Sequence, residues 1–151
     1  MDEQNRIVSL IKKEFSFLET KFGFVDRPTI ISSREYKVEY QKSELLVRVV
    51  YSIVNNWIEI IIYNHISKVT PGKYDWRYSV SLAYIMKRKI ADFDYKNDYE
   101  MLMPKNVSIE DAVSKLAQLF QKFASPILEN KEWISWGEIA GYNQPVPKGL
   151  P

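Results

Sequence analysis

The chain has 151 residues and a mass of 17.8 kDa, the length of a single domain that buries ~70% of the surface its unfolded form exposes. Hydrophobic residues at 46%, charged residues at 26% and aromatics at 14% exclude a disordered or collagen-like chain. The absence of cysteine and the single histidine, His65, exclude a disulfide framework, a thiolate metal site, a cysteine nucleophile and a His-rich metal cluster, and no cofactor is expected.

The net charge of +2 conceals an asymmetry: residues 1–91 carry 15 Lys/Arg against 10 Asp/Glu, whereas residues 92–151 carry 6 against 9. The polar, acidic start Met1-Asp2-Glu3-Gln4-Asn5 has no secretory pattern, and the apolar stretches near Leu45–Val54 and Ile58–Tyr63 fall short of the ~20 residues a membrane helix needs. A cytoplasmic protein that does not engage membranes is expected.

Ile7, Ile11, Phe15, Leu18 and Phe22 recur at helical spacing, which predicts an amphipathic first helix with Asp2 as N-cap and Gly23 as its stop. Asp26-Arg27-Pro28 then predicts a turn. From Ile30 to Asn64 the period becomes two. Tyr36, Val38 and Tyr40 form one apolar row, followed by Leu45, Val47, Val49, Tyr51 and Ile53, and then by Ile58, Ile60 and Ile62. A two-residue turn at Lys42-Ser43 would set Tyr40 opposite Leu45. A second at Asn55-Asn56 would set Ile53 opposite Ile58 and Tyr51 opposite Ile60. Both turns place the same apolar rows toward the core. The other face is then polar with a few large apolar residues: Glu35, Lys37, Glu39, Arg48, Ser52 and Glu59 beside Trp57, Ile61, Tyr63 and His65.

Thr70-Pro71-Gly72-Lys73 predicts a turn, and residues 79–90 read as a short helix or as an extra strand. Residues 91–107 lack sustained periodicity and are expected to form a loop. Ser108, followed by Glu110 and Asp111, resembles a capping box and opens a long helical stripe from Ile109 through Val113, Leu116 and Phe120 to Ile127, which Pro126 should bend or end. Trp133 and Trp136 share one face of a short amphipathic piece and read as core closure, before a tail containing Pro145, Pro147 and Pro151. The fold class that follows is α+β: an N-terminal helix, an antiparallel meander of three or more strands, a short helix or extra strand, and a long C-terminal helix on one sheet face. One domain is expected over residues 1–142, with a Pro-rich tail at 143–151.

Chemistry-bearing motifs are sparse. His65, Ser67 and Asp75 invite a triad, but no Gly-x-Ser-x-Gly elbow accompanies them, and His65 reads as a strand-end histidine. Pro71-Gly72-Lys73 lacks the remaining residues of a phosphate loop. A calcium loop starting at Asp92 would need glycine at Asn97 and glutamate at Met103. Lys87-Arg88-Lys89 reads as a solvated helix end, and nucleic-acid binding is disfavoured because Glu35, Glu39 and Glu59 oppose cations on the polar face. The acidic run from Asp92 to Glu100 reads as an exposed polar loop or as a partner-binding surface. In the second reading Asp92, Asp94, Tyr95, Asp98, Tyr99 and Glu100 contact a protein partner, because aromatics interleaved with acids suit an interface.

The pattern from residue 5 to 136 resembles a group of small bacterial α+β proteins that includes immunity proteins of polymorphic toxin systems. The residues that carry it are Lys21-Phe22-Gly23-Phe24, Tyr36-Lys37-Val38-Glu39-Tyr40, Leu45-Leu46-Val47-Arg48-Val49-Val50-Tyr51, Ile58-Glu59-Ile60-Ile61-Ile62-Tyr63 and Leu116-Ala117-Gln118-Leu119-Phe120 with Ile127-Leu128. The resemblance implies stoichiometric capping of a toxin domain with no catalytic group. The chain departs from many nuclease-blocking examples in lacking a strong overall negative charge, and only the local acidic run is left to play that part. Two other readings remain: a small hydrolase or nucleotide-acting enzyme using Glu59 with His65, and an assembly component of a phage or mobile element.

Overall fold

The computed structural model describes residues 2–68 and 78–133. The predicted turn at 70–73, Asp75, Trp136 and the tail lie outside the described residues. The architecture is α+β, with an antiparallel sheet covered by helices on one face. Helix α1 (Glu3–Glu14) starts where the Asp2 carboxylate accepts the Asn5 amide at 2.8 Å. The single predicted first helix is in fact two, α1 and the short α2 (Phe17–Thr20). Around Ser16 the bonding tightens to three-residue spacing, with Leu18 N donating to Phe15 O at 3.0 Å. That break turns Leu18, Phe22 and Phe24 inward along with Phe15, and all four are buried. Gly23, at φ +77, completes the reversal into the sheet.

Strands β1 (Val25–Asp26) and β2 (Ile30–Ile31) pair with opposite halves of β3 (Glu35–Lys42). The order continues through β4 (Leu45–Ser52), β5 (Trp57–Tyr63) and β6 (Ser79–Ser81). Both hairpins differ from expectation by two residues of register. The β3–β4 turn is Ser43-Glu44, with Ser43 at φ +53, so Tyr40 faces Val47 rather than Leu45. The β4–β5 turn spans four residues, Ile53 to Asn56. Asn56 at φ +49 takes the left-handed position, and its side chain accepts the Tyr51 hydroxyl at 2.8 Å. Tyr51 therefore faces Ile58, and Ile53 leaves the predicted core for an exposed turn. Because the shift is an even number, each strand keeps its expected inner face.

Residues 79–90 contain both predicted alternatives in succession. Ser79–Ser81 pairs with the second half of β5, and Ser81 then caps α3 (Leu82–Lys89) by accepting the Tyr84 amide. Helix α4 (Tyr95–Asp98) and a 3₁₀ turn at Glu100–Leu102 replace the expected structureless loop. Helix α5 (Ile109–Leu128) is capped by Ser108, whose hydroxyl accepts the Asp111 amide at 3.1 Å. Pro126 does not stop it: the helix runs two residues further, and the Ser125 hydroxyl donates to Gln121 O in the turn that the proline weakens.

The core lies between the helices and the inner sheet face, where Val38, Val49, Ile60 and Ile62 meet Ile11, Phe15, Leu116 and Phe120. Phe15 and Phe120 join α1 to α5 with ring centroids 6.0 Å apart. At one end, Lys42 Nζ donates to Phe22 O at 2.9 Å and to Leu128 O at 2.7 Å, supplying partners to carbonyls at the ends of two helical segments. No helix among the described residues is long and apolar enough to cross a membrane.

Candidate functional site

The outer sheet face carries most of the ionisable side chains that the strand periodicity placed there. Across β3, β4 and β5 they stand in rows: Glu35, Ser52, Trp57; then Lys37, Val50, Glu59; then Glu39, Arg48, Ile61. Most of the charges pair off. Arg48 Nε donates to Glu39 Oε2 at 2.6 Å and lies 5.1 Å from the centre of the Tyr63 ring, and Glu39 is buried beneath it. Lys37 Nζ stands 3.1 Å from Glu35 on the same strand. Glu59 differs because the residue opposite it is Val50, so its row supplies no adjacent cation. Burial pushes the Glu59 carboxyl above its ordinary value, and the neighbouring Trp57 indole offsets part of that rise.

Glu59 is shared by two adjoining clefts. One, of about 400 Å³, runs over the sheet past Lys37, Val50 and Trp57. The other, of about 550 Å³, lies between β5, α3 and the acidic segment, and is lined by Tyr84, Lys87, Phe93 and Tyr95. The structure thus joins two regions that are well separated in sequence, the outer sheet face and the 92–100 segment.

The acidic segment is more ordered than its composition predicts, and its six candidate residues divide. Asp94 caps α4, accepting the amides of Lys96 at 3.1 Å and Asn97 at 3.4 Å, while Asp98 Oδ2 accepts the Asp94 amide at 2.8 Å. Glu100 stands 3.5 Å from Lys105. Asp92, Asp94 and Tyr95 are exposed, and Asp98 and Glu100 are half-buried. Tyr99 requires correction, because the loop reading put it at the surface and it is 1% exposed. Its hydroxyl donates to Ile58 O at 3.1 Å, and Ile58 N donates to Met103 Sδ at 3.4 Å. Since β6 pairs only with residues 61–63, the first half of β5 is a sheet edge, and the 99–103 segment covers it. Burial raises the Tyr99 hydroxyl pKa well above the ordinary range, and the nearby negative charge of Glu59 adds to that. The sequence signal for this role is the Tyr99-to-Met103 spacing of four, one apolar helical step inside a polar stretch.

The Glu59–His65 pairing is not formed. Glu59 and Tyr63 are separated by four residues of strand, about 13 Å, before the chain reaches His65 at φ +51. There the imidazole sits edge-on to Tyr78 with centroids 5.5 Å apart. Ser67, the other described residue of the imagined triad, donates to Glu44 at 2.5 Å. Lys87, Arg88 and Lys89 occupy the last turn of α3, where cations complement the helix dipole, and Lys89 pairs with Glu132. Trp133 packs against the core as expected. Among the described residues, no three acidic or histidine side chains converge as metal ligands. No family model matches the chain, and neither curated proteins nor solved structures give a match.

Proposed function

We propose that this chain is a non-enzymatic, cytoplasmic protein-binding module of the immunity type, capping a bacterial toxin domain in a stoichiometric complex. The observation that supports this reading most is the outer sheet face. There a half-buried carboxylate without an ion-pair partner, Glu59, sits between two adjoining clefts, one lined by Tyr84, Phe93 and Tyr95 and the other by Trp57. Such a face suits a protein partner with basic projections, because Glu59 has no ion-pair partner there and the neighbouring 92–100 segment adds the exposed acids Asp92 and Asp94. Less supports the enzyme reading, because Glu59 lies within β5 and His65 beyond its end, six residues along the chain.

Co-expression with a toxin domain encoded in the neighbouring reading frame tests the proposal. Restored growth and a complex of fixed stoichiometry on a sizing column are expected. Both should be lost in a double charge reversal, Asp92→Lys with Asp94→Lys, combined with Trp57→Ala. Full protection by that variant, or no complex with the wild-type chain, would refute the docking assignment.

A further inference from the structure

Resting on the docking reading above, we infer that the cleft between β5, α3 and the Phe93–Tyr95 segment receives the guanidinium of an arginine side chain carried by the protein partner. Three observations converge on this occupant.

The first is charge. Glu35 and Glu39 are neutralised by Lys37 and Arg48, whereas Glu59 is in none of the ion pairs among the described residues. Lys87 lines the same cleft and is exposed at its rim, yet it makes no ion pair with Glu59. The Trp57 indole stands beside the carboxylate, and a carboxylate has about four acceptor sites. A half-buried anion with open acceptor sites costs stability unless a cation or water meets it. An anionic ligand such as a phosphate would face Glu59 and be repelled.

The second is the wall. Tyr84, Phe93 and Tyr95 present aromatic surface to the cleft. Tyr95 stacks on Tyr99 at 5.7 Å with planes 28° apart, and Tyr99 is anchored to the backbone of β5 and lies 6.2 Å from Trp57. The Tyr95 ring is therefore held in place before any ligand arrives, which lowers the ordering cost of binding. Aromatic faces beside a carboxylate suit a flat cation. Guanidinium is planar and weakly hydrated, so it stacks where ammonium keeps its water.

The third is size. A volume of about 550 Å³ lies in the range of ligand pockets and admits a whole arginine side chain with the backbone that carries it.

The test uses the full chain and three acetylated, amidated tripeptides, Gly-Arg-Gly, Gly-Lys-Gly and Gly-citrulline-Gly, followed by NMR at the Trp57 indole N–H and the Tyr95 amide. The arginine peptide should give saturable shifts in the millimolar range, with the lysine peptide weaker and the uncharged citrulline peptide about tenfold weaker or silent. Glu59→Gln, which keeps the shape of the side chain, and Tyr95→Ala, at an exposed position, should each weaken binding about tenfold. Glu129→Ala, at an exposed acid that lines neither cleft, should leave it unchanged. Equal shifts from the arginine and citrulline peptides, or undiminished binding by Glu59→Gln, would overturn the assignment. The two readings can fail separately. Arginine binding without toxin protection removes the docking reading and keeps the cleft, and protection without any arginine-induced shift does the reverse.

Discussion

On the inner face of the sheet, Val38, Val49, Ile60 and Ile62 are closed from solvent by α1 and α5. On the outer face the same strands present Lys37, Arg48, Val50 and Glu59. The inner face is apolar surface, aliphatic rows with Tyr36, Tyr40 and Tyr51 among them, whose energetics largely follow buried area. The outer face depends on particular pairings, and one mismatch, Glu59 opposite Val50, leaves a charge available. Stability therefore concentrates on the inner side, the docking proposal assigns recognition to the outer one, and substitutions should separate the two.

Phe120→Ala removes a fully buried ring between α1 and the sheet and should cost about 3–5 kcal/mol, read as a large fall in the chemical denaturation midpoint. Next comes Lys42→Met, which keeps the aliphatic stem but strips donors from two helix-end carbonyls; about 2 kcal/mol should be lost. A smaller effect is expected for Tyr99→Phe, which preserves the ring and deletes the bond to Ile58 O. About 1 kcal/mol should go, with faster hydrogen exchange along the first half of β5. If that exchange is unchanged, the 99–103 segment does not guard the strand edge.

Glu59→Gln should move stability the other way, and the sign follows from linkage. The carboxyl's folded pKa is raised above its unfolded value near 4.3, so both states are protonated at low pH and the residue then carries no penalty. As pH rises through the folded value, ionising the desolvated group costs the wild type stability that the glutamine variant retains. The groups around it are Tyr84 and Lys87 from α3, Tyr95, Tyr99 and Glu100 from the acidic segment, and Glu35, Lys37 and Arg48 across the sheet. A melting-temperature gap in favour of Glu59→Gln should open between pH 4 and neutrality, and equal melting at all pH values would contradict the desolvation argument. The smallest change belongs to Tyr95→Ala, at a 47% exposed side chain: within ~0.5 kcal/mol in stability, with its effect confined to binding.

Tyr40 is a contrast inside the core. Its hydroxyl is buried without a hydrogen-bond partner, and burial pushes its pKa up, so its ionised form plays no part near neutral pH. Here a polar atom on the inner face is a cost, whereas the tyrosine at 99 uses its hydroxyl to close a strand edge.

Local pattern alone determined a good deal. The period of two from Tyr36 to Tyr63 separates inner from outer residues, because successive side chains on a strand point to opposite sides, and an even register shift leaves that division intact. The capping residues Asp2 and Ser108 and the stripe from Ile109 to Ile127 were legible for the same reason: their interactions close within one helical turn. The outer placement of Glu59 was legible too. What it faces was not, because the two-residue shift at the β4–β5 turn moves it from opposite Ser52 to opposite Val50, in a four-residue turn where Asn56 also holds the Tyr51 hydroxyl. The fate of Tyr99 was also decided at a distance. Whether a tyrosine among acids points to solvent or into the core depends on an unpaired strand edge forty-one residues away in sequence, a partner that no local periodicity contains.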